Sequence, residues 1–391
     1  MANVPERGFP VSEFEGRLQR IQALMEDEGV EGILLMSEPE VRYFSGFHTL
    51  FWQSPTRPWF LFVPVDSKPI AIIPEIGAAL MRETWIEDIR TWSAPSPDDD
   101  GISLLLNLFN PLSKQGGRLG IMKGHETSLR MPLADYERLM ASLPGLDLVD
   151  ATNLVRSLRM VKSGAEIEKI AHTCGIASNA FGRANKIFFE GQPFAETFRA
   201  FRMECLAQGA DDVPYLAGGA GIGGYQDIIS PPSQRLLQKG DILMLDTGAT
   251  FDGYYCDFDR NYAIGKGDEL SRRAYGTLWR ATEVGLEVAR PGATCRELFQ
   301  AMNEVIAEMD CSEGRVGRMG HGLGMQLTEQ PSHAAFDETV LEENMVITLE
   351  PSLSYGDGRI MVHEENIVIQ KGTPRLLSKR ADQELPIIGR S

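Results

Sequence analysis

The sequence predicts an α/β domain followed by a second domain of interleaved strands and helices, and three observations carry that prediction. The 391 residues exceed the roughly 250–300 at which one hydrophobic core stops growing, so two cores are expected. An apolar content of 43% is enough to fill both. The opening third alternates helical periodicity with short buried strands, whereas from Asp241 onward strands carrying glycine and acidic residues alternate with helices around 271–288 and 295–309.

Taken in order, Phe14, Leu18, Ile21 and Met25 recur at helical spacing, Gly29 stops the pattern, and 32–36 follows as a buried strand. WFLFVP and PIAIIP (59–64 and 69–74) read as paired strands with Asp66, Ser67 and Lys68 in the turn. SAPSPDDDG (93–101) has two prolines and no apolar face, so it is expected as an exposed loop, and RLGIM (118–122) resumes a buried strand. The domain junction falls where ATNLVRSLRMVKSGAEIEKI enters a long amphipathic helix. Ser163 and Glu166 form a capping-box pair there, and Ile167, Ile170, Ala171, Cys174, Ala177 and Phe181 line one face. The domains are thus expected at 10–157 and 158–391.

Composition excludes several function classes. A net charge of −17, from 38 basic and 55 acidic residues, disfavours nucleic acid and anionic membrane as partners. No window approaches the ~18 apolar residues of a membrane span, and no basic-then-apolar leader opens the chain. Cys174, Cys205, Cys256, Cys295 and Cys311 are odd in number and form no CxxC pair, so they read as reduced thiols of a cytoplasmic protein.

The chemistry lies in the last third. In ILMLDTGATFDGYYCDF, Asp252-Gly253 is a strong hairpin turn signal. Counting outward from it puts Asp246 within one diagonal step of Asp257 on the same face, with Asp259 beside them. Like charges paired on one face are costly unless a cation lies between them. His321 is flanked by Gly320, Gly322 and Gly324. Glu350 ends an apolar strand at Pro351. Glu365 shares a strand face with His363 and Ile367 while Glu364 points the other way, and its burial without a cation is expensive. Singly these read as a turn cap, a core histidine and strand exits. Together, four carboxylates and one imidazole (Asp246, Asp257, His321, Glu350, Glu365) form a hard, oxygen-rich set suited to two divalent ions and to hydrolysis.

The sequence resembles the aminopeptidase P, prolidase, methionine aminopeptidase and creatinase family, the pita-bread metallohydrolases of family M24. The segments that carry the likeness are SEPEVRYFSGF (37–47), LRMVKSGAEIEKI (158–170), GDILMLDTGATFDGYYCDFDR (240–260), GHGLGM (320–325), TLEPS (348–352) and HEENIVI (363–369). The resemblance implies an α/β creatinase-type N-terminal domain and a pseudo-twofold α+β pita-bread catalytic domain. It implies that Asp246 chelates one ion, that His321 and Glu350 hold the other, and that Asp257 and Glu365 bridge the two. Manganese, cobalt, zinc and iron all accept such a set. It further implies an Xaa-Pro dipeptidase or aminopeptidase P-like activity on a small peptide, with Glu350 as general base and acid.

Two departures from that pattern shape the expectation. Peptidases of the family carry a histidine upstream of the first aspartate, and here AGGAGIGGYQDIISPPSQ has none. They carry a second in H-E-x-P, and here Thr328 stands in its place while Glu329 and Pro331 remain. His333 and His363 are the alternative imidazoles, each weighed against a local structural role. Tyr225 and Asp227, held by a glycine-rich loop, are candidate substrate contacts with Asp259 and Glu329. HTLFWQSPTRPW (48–59) resembles the creatinase segment that reaches into a partner subunit, which makes Trp52 and Arg57 candidate substrate contacts across a homodimer. The missing histidines leave open a non-peptidase member acting on a small compound, like creatinase or dimethylsulfoniopropionate lyase. A non-catalytic binding module of the same fold, as in a histone-chaperone subunit, also stays open.

Overall fold

The computed structural model describes residues 4–54, 57–309 and 317–389; Cys311 lies outside the described residues. The chain divides into two compact units, Glu6–Arg159 and Met160–Ser391.

In the first unit the helix Val11–Glu28 buries Phe14, Leu18, Ile21 and Met25 and ends at Gly29, whose φ of 62° only glycine adopts readily. A six-stranded sheet follows, made of β1 (Gly32–Leu35), β2 (Phe60–Pro64), β3 (Ile70–Pro74), β4 (Asp88–Trp92), β5 (Arg118–Ile121) and β6 (Asp147–Asp150) in the order β4-β3-β2-β1-β5-β6. The β2–β3 hairpin is antiparallel, and β5 lies parallel to β1. The helix Ile102–Lys114 packs Leu105 and Phe109 against Phe60, Phe62 and Leu119. Residues 93–101 carry no strand or helix. Trp52 is buried with its ring 5.9 Å from that of Trp59, the Arg130 guanidinium lies 4.8 Å over it, and Arg57 lies 5.4 Å over Phe51.

The second unit opens with the helix Gly164–Phe181, where Ser163 and Glu166 complete the reciprocal capping box, an arrangement that contributes about 1 kcal/mol. This helix packs on Phe194–Ala207 and on the sheet β18-β10-β8-β7, formed by β7 (Asp212–Ile222), β8 (Asp241–Phe251), β10 (Phe258–Ile264) and β18 (Ile387–Ile388), with β9 (Tyr254–Tyr255) paired to β8. The glycine-rich segment 217–224, expected as a loop, lies mostly within β7, which pairs with β8 along nearly its whole length. Glycine is required there by close approach rather than by mobility: a Cβ on Gly219 would stand 2.6 Å from the Asp227 carbonyl oxygen. A second sheet runs β12-β11-β13-β16-β17, from β11 (His321–Gly322), β12 (Glu329–Ser332), β13 (Val346–Leu349), β16 (Glu365–Val368) and β17 (Arg375–Leu376). The pair β14 (Ser352–Tyr355) and β15 (Arg359–Val362) stands apart from it. The helices Glu269–Val288 and Cys295–Ile306 bury Leu278, Leu298 and Met302 with Met244, Ile347, Leu349 and Ile367 in one core. Among the described residues no helix is long and apolar enough to cross a membrane.

Candidate metal centre

Strand register in the second unit brings the acidic side chains together. Thr250 pairs with Tyr255 beside the Asp252–Gly253 turn, and Asp246 pairs with Asp259 further out. The count outward from the turn is therefore unbroken, and Asp257 lies on the face shared by Asp246 and Asp259. Lys169 secures that turn from the neighbouring helix through a buried ion pair with Asp252 at 2.6 Å. In the other sheet Leu349 of β13 pairs with Glu365 of β16; one residue further out on each strand stand Glu350 and Glu364. His321 starts β11, and its backbone N–H donates to Thr348 Oγ1 at 3.2 Å. Gly320 permits this approach, because at φ 124° a Cβ would lie 2.3 Å from the Thr348 carbonyl oxygen and 2.8 Å from His333 Cδ2.

The ligand atoms of Asp257, His321 and Glu364 lie within 4.8 Å of one another. His321 Nε2 is 3.4 Å from Asp257 Oδ2 and 3.8 Å from Glu350 Oε2. Its Nδ1 lies 2.9 Å from the Gly322 carbonyl oxygen, a bond that requires the proton on Nδ1 and leaves a lone pair on Nε2. Burial, reinforced by the charge of Arg318, pulls the imidazole down to about 4, so it is neutral at pH 7. Acceptor thus faces acceptor. Asp246 Oδ1, Asp259 Oδ1 and Glu364 Oε1 are buried with no hydrogen-bond partner, and buried acceptors of this kind are stable only opposite a donor or a cation. The donor set fits a divalent metal.

The acids register the same crowding. Burial pushes Glu350 up to about 7 and Asp246 up to about 6, the first helped by the Asp246 charge and opposed by Arg318, the second opposed by a bond from the Tyr215 hydroxyl. Burial also raises Asp257, Asp259 and Glu364 well above the carboxylate range. The Asp246 charge adds to this at Asp257 and Asp259, and the Asp257 charge at Glu364. Several neighbours hold the cluster in place. Tyr215 Oη donates to Asp246 Oδ2 at 3.0 Å, Asn366 Oδ1 accepts from the Asp257 backbone N–H at 2.9 Å, and Arg260 Nη1 donates to the Glu364 carbonyl oxygen at 2.9 Å. None of these three was singled out from sequence; only the placement of Arg260 and Asn366 within the signature segments marked them.

One assignment moves by a single residue. Glu365 does not face the cluster. Its carboxylate receives Arg260 Nη2 at 2.9 Å, Arg380 Nη1 at 3.1 Å, the Ala381 N–H at 2.9 Å and the Ser378 hydroxyl. Burial alone would raise this carboxyl, but Arg260, His363 and Arg380 outweigh it and hold it well below the usual range. The strand alternation was read correctly, since His363 Nε2 lies 3.6 Å from Glu365. The cation that compensates its burial is a pair of guanidiniums, and Glu364 takes the place among the acids.

Other candidates divide. Asp259 lies directly across from Asp246, inside the acid group. His363 stacks on Tyr275, ring centroids 5.7 Å apart, on the Glu365 side. His333 is fully buried with neither ring nitrogen hydrogen-bonded, and burial, with His321 close by, pulls it down to about 3. Its packing against Gly320 is structural. Tyr225 is buried, donating to Asn261 Oδ1 at 3.0 Å and accepting from the Val362 N–H at 3.1 Å. It also borders an open cleft of about 860 Å³ with Asp227, Arg235 and Arg359. Asp227 is exposed and accepts the Ile229 N–H at 2.8 Å and the Ser230 hydroxyl. Glu329 closes its own loop, accepting the Met325 N–H at 2.9 Å and Lys162 Nζ at 3.2 Å. Thr328 is half-buried, with Oγ1 3.5 Å from Arg318 Nη2.

Residues 168–371 match the pattern that defines metallopeptidase family M24, and residues 17–161 match the creatinase/prolidase N-terminal domain. The chain belongs to metallopeptidase family M24. Within the family it is similar to a probable dipeptidase PepE of Mycobacterium tuberculosis, at 27% identity over 93% of each chain. It is also similar to an Xaa-Pro dipeptidase of Pyrococcus horikoshii, at 25% identity over 92% of this chain and 96% of the relative. Among solved structures, dipeptidase PepE from Mycobacterium ulcerans superposes with a TM-score of 0.83 at 26% identity, covering 97% of this chain and 99% of the other. The M24 fold is thus an α/β creatinase-type domain followed by the pita-bread catalytic domain.

Proposed function

We propose that this chain is a metal-dependent hydrolase of a C–N bond in a small substrate, with Xaa-Pro dipeptides as the leading class. The observation that carries this is the neutral imidazole of His321, whose Nε2 lone pair faces the Asp257 carboxylate at 3.4 Å beside three buried acid oxygens, Asp246 Oδ1, Asp259 Oδ1 and Glu364 Oε1, that have no donor. Asp246, Asp257, His321, Glu350 and Glu364 are the residues that would hold two divalent ions, manganese, cobalt, zinc or iron. When bound, such ions polarise a carbonyl and lower the pKa of water towards ~7. Glu350 keeps 23% of its side chain exposed, which suits it to take a proton from water at its carboxylate and return it to the leaving nitrogen. Membership of M24 and the names of the relatives support the peptidase class. The homodimer and the cytoplasmic location are proposed on the resemblance and on cysteines that are free among the described residues.

Thr328 favours a second reading. A threonine hydroxyl donates a hydrogen bond but does not carry the proton-transfer range of an imidazole, which fits a small non-peptide amide or betaine better than a prolyl peptide. Assaying the metal-loaded protein side by side on Xaa-Pro dipeptides and on small amides and betaines separates the two. Hydrolysis of the dipeptides is the expected result, and turnover of only the non-peptide compounds overturns the ranking. Metal analysis after replete purification tests the binding-module alternative, which predicts a protein free of divalent ions.

A further inference from the structure

The acid cluster is split between two sheets, and one neutral side chain joins its halves through the backbone. Asp246 and Asp257 stand in or beside β8 and β10, whereas His321, Glu350 and Glu364 stand in or beside β11, β13 and β16 of the other sheet. Asp257 falls between β9 and β10. The Cys256 N–H donates to the Ala249 carbonyl at 3.1 Å, and backbone groups along an antiparallel pair alternate in direction, so those of Asp257 point away from β8. On that outer side β18 joins β10 at Ala263 and Ile264, further along the strand, and among the described residues no strand pairs with Asp257 there. The fully buried side chain of Asn366, from β16, stands in for one. Its Oδ1 accepts the Asp257 N–H at 2.9 Å and its Nδ2 donates to the Asp257 carbonyl oxygen. A carboxamide offers an acceptor and a donor side by side, the same two groups that a facing strand residue would present.

The helix Gly164–Phe181 fixes which end of the amide faces which group. Cys174, fully buried on that helix, donates its thiol to the same Oδ1 at 3.2 Å. Burial pushes this thiol up, so it stays protonated, and a thiol donor suits the amide oxygen but not the Nδ2 group. Asn366 is also held at its own backbone: its N–H donates to Ser378 Oγ at 3.1 Å and its carbonyl accepts the Leu377 N–H at 2.8 Å. A side chain fixed in this way passes the position of β16, and of Glu364 next to it, on to Asp257. We propose that Asn366 is a positioning residue of the metal centre, a substitute strand partner that sets the spacing of Asp257 from Glu364 and His321, with Cys174 keeping its amide in the working orientation. This rests on the metal-dependent hydrolase reading and adds to it two residues that touch neither ion nor substrate.

Manganese affinity of the folded protein is the deciding measurement, because a residue with a merely structural role lowers the melting temperature without changing it. The full chain, freed of metal by chelation, is titrated calorimetrically with manganese as wild type, Asn366→Leu, Cys174→Ala and Cys174→Ser, each well below the melting temperature of its chelated form. Leucine is close to asparagine in shape and carries neither the acceptor nor the donor. Asn366→Leu is expected to weaken manganese binding by on the order of 10–100-fold, the range for loss of an outer partner of a metal ligand. Cys174→Ala removes the thiol donor alone and weakens binding less, while Cys174→Ser keeps a donor there and returns most of the affinity. A folded Asn366→Leu that binds manganese as the wild type does overturns the proposal, and a Cys174→Ala variant with wild-type affinity overturns the part given to the thiol. Should Asn366→Leu not fold, the Cys174 pair decides: a loss in Cys174→Ala that Cys174→Ser restores supports the clamp, and no loss overturns it. A wild type that binds no manganese sinks the metal reading and the clamp with it, whereas a wild type that binds alongside unchanged variants sinks the clamp alone.

Discussion

Glu364 and Glu365 are chain neighbours with opposite environments, and they show what one residue of strand parity decides. Glu364 Oε1 is buried among acids without a partner, whereas Glu365 is saturated by two arginines, a serine and a backbone N–H. Glu364→Gln is therefore expected to keep the fold and lower divalent-metal content, read by elemental analysis of purified protein. Glu365→Gln strips the charge that neutralises Arg260 and Arg380, and breaking a buried pair in this way costs about 3–5 kcal/mol, so its melting temperature should drop sharply. If both variants lost metal alike with unchanged stability, the division of roles would be wrong. Sequence legibly fixed the alternation but not the face, because Arg260 and Arg380 reach Glu365 from 105 and 15 positions away. Glu350→Gln should likewise keep the fold and weaken metal binding, and in addition abolish turnover even at saturating metal; wild-type rates in a metal-replete Glu350→Gln would refute its part in proton transfer.

At the scale of elements, the hairpin of β8, β9 and β10 was legible because its turn carries its own geometry. Asp252 and Gly253 both adopt positive φ, 46° and 68°, and that fixes which residues of the two strands face each other. Strand β7 was not legible: glycine is depleted in strands and has no side chain to show periodicity, and only the structure reveals the neighbours that exclude a Cβ. Arg318 and Tyr215 escaped for a related reason, since their value lies in what they approach across the fold rather than in a local pattern. Gly320 joins these themes, being the residue that lets β11 press His321 against β13. Gly320→Ala places a methyl 2.3 Å from a backbone oxygen in a conformation that itself costs of order 1–3 kcal/mol. The expected outcome is a less stable protein with weakened metal binding at the His321 side, measured by calorimetric melting and metal titration. A Gly320→Ala variant indistinguishable from wild type in both would show that this approach is not needed.

Across the whole molecule, the acid cluster links stability to pH and to metal. A carboxyl whose folded pKa lies above its unfolded value stabilises the fold fully below the unfolded value, near 4, and loses that contribution as pH rises through the folded value. Here the folded values are about 6 for Asp246 and about 7 for Glu350, with Asp257, Asp259 and Glu364 also raised. The buried histidines act in the opposite sense. His321 and His333, depressed to about 4 and about 3, stabilise the fold above the unfolded histidine value near 6.5 and lose that contribution below it. Up to about pH 7 the two trends compete, because His321, His333 and the likewise depressed His363 still take up protons when unfolded; above it these histidines are largely neutral in either state and the raised acids dominate. The metal-free protein is therefore expected to melt at progressively lower temperature from about pH 7 to 8. A divalent ion supplies the missing positive charge and binds the native state alone, so saturating manganese should raise the melting temperature and flatten the slope, with the gain growing as the pH rises and protons stop competing for the ligands. Thermal scans of chelated and manganese-saturated protein over this interval give both quantities, and a metal-free melting temperature that climbs with pH would contradict the clustering of unneutralised carboxylates on which the whole site depends.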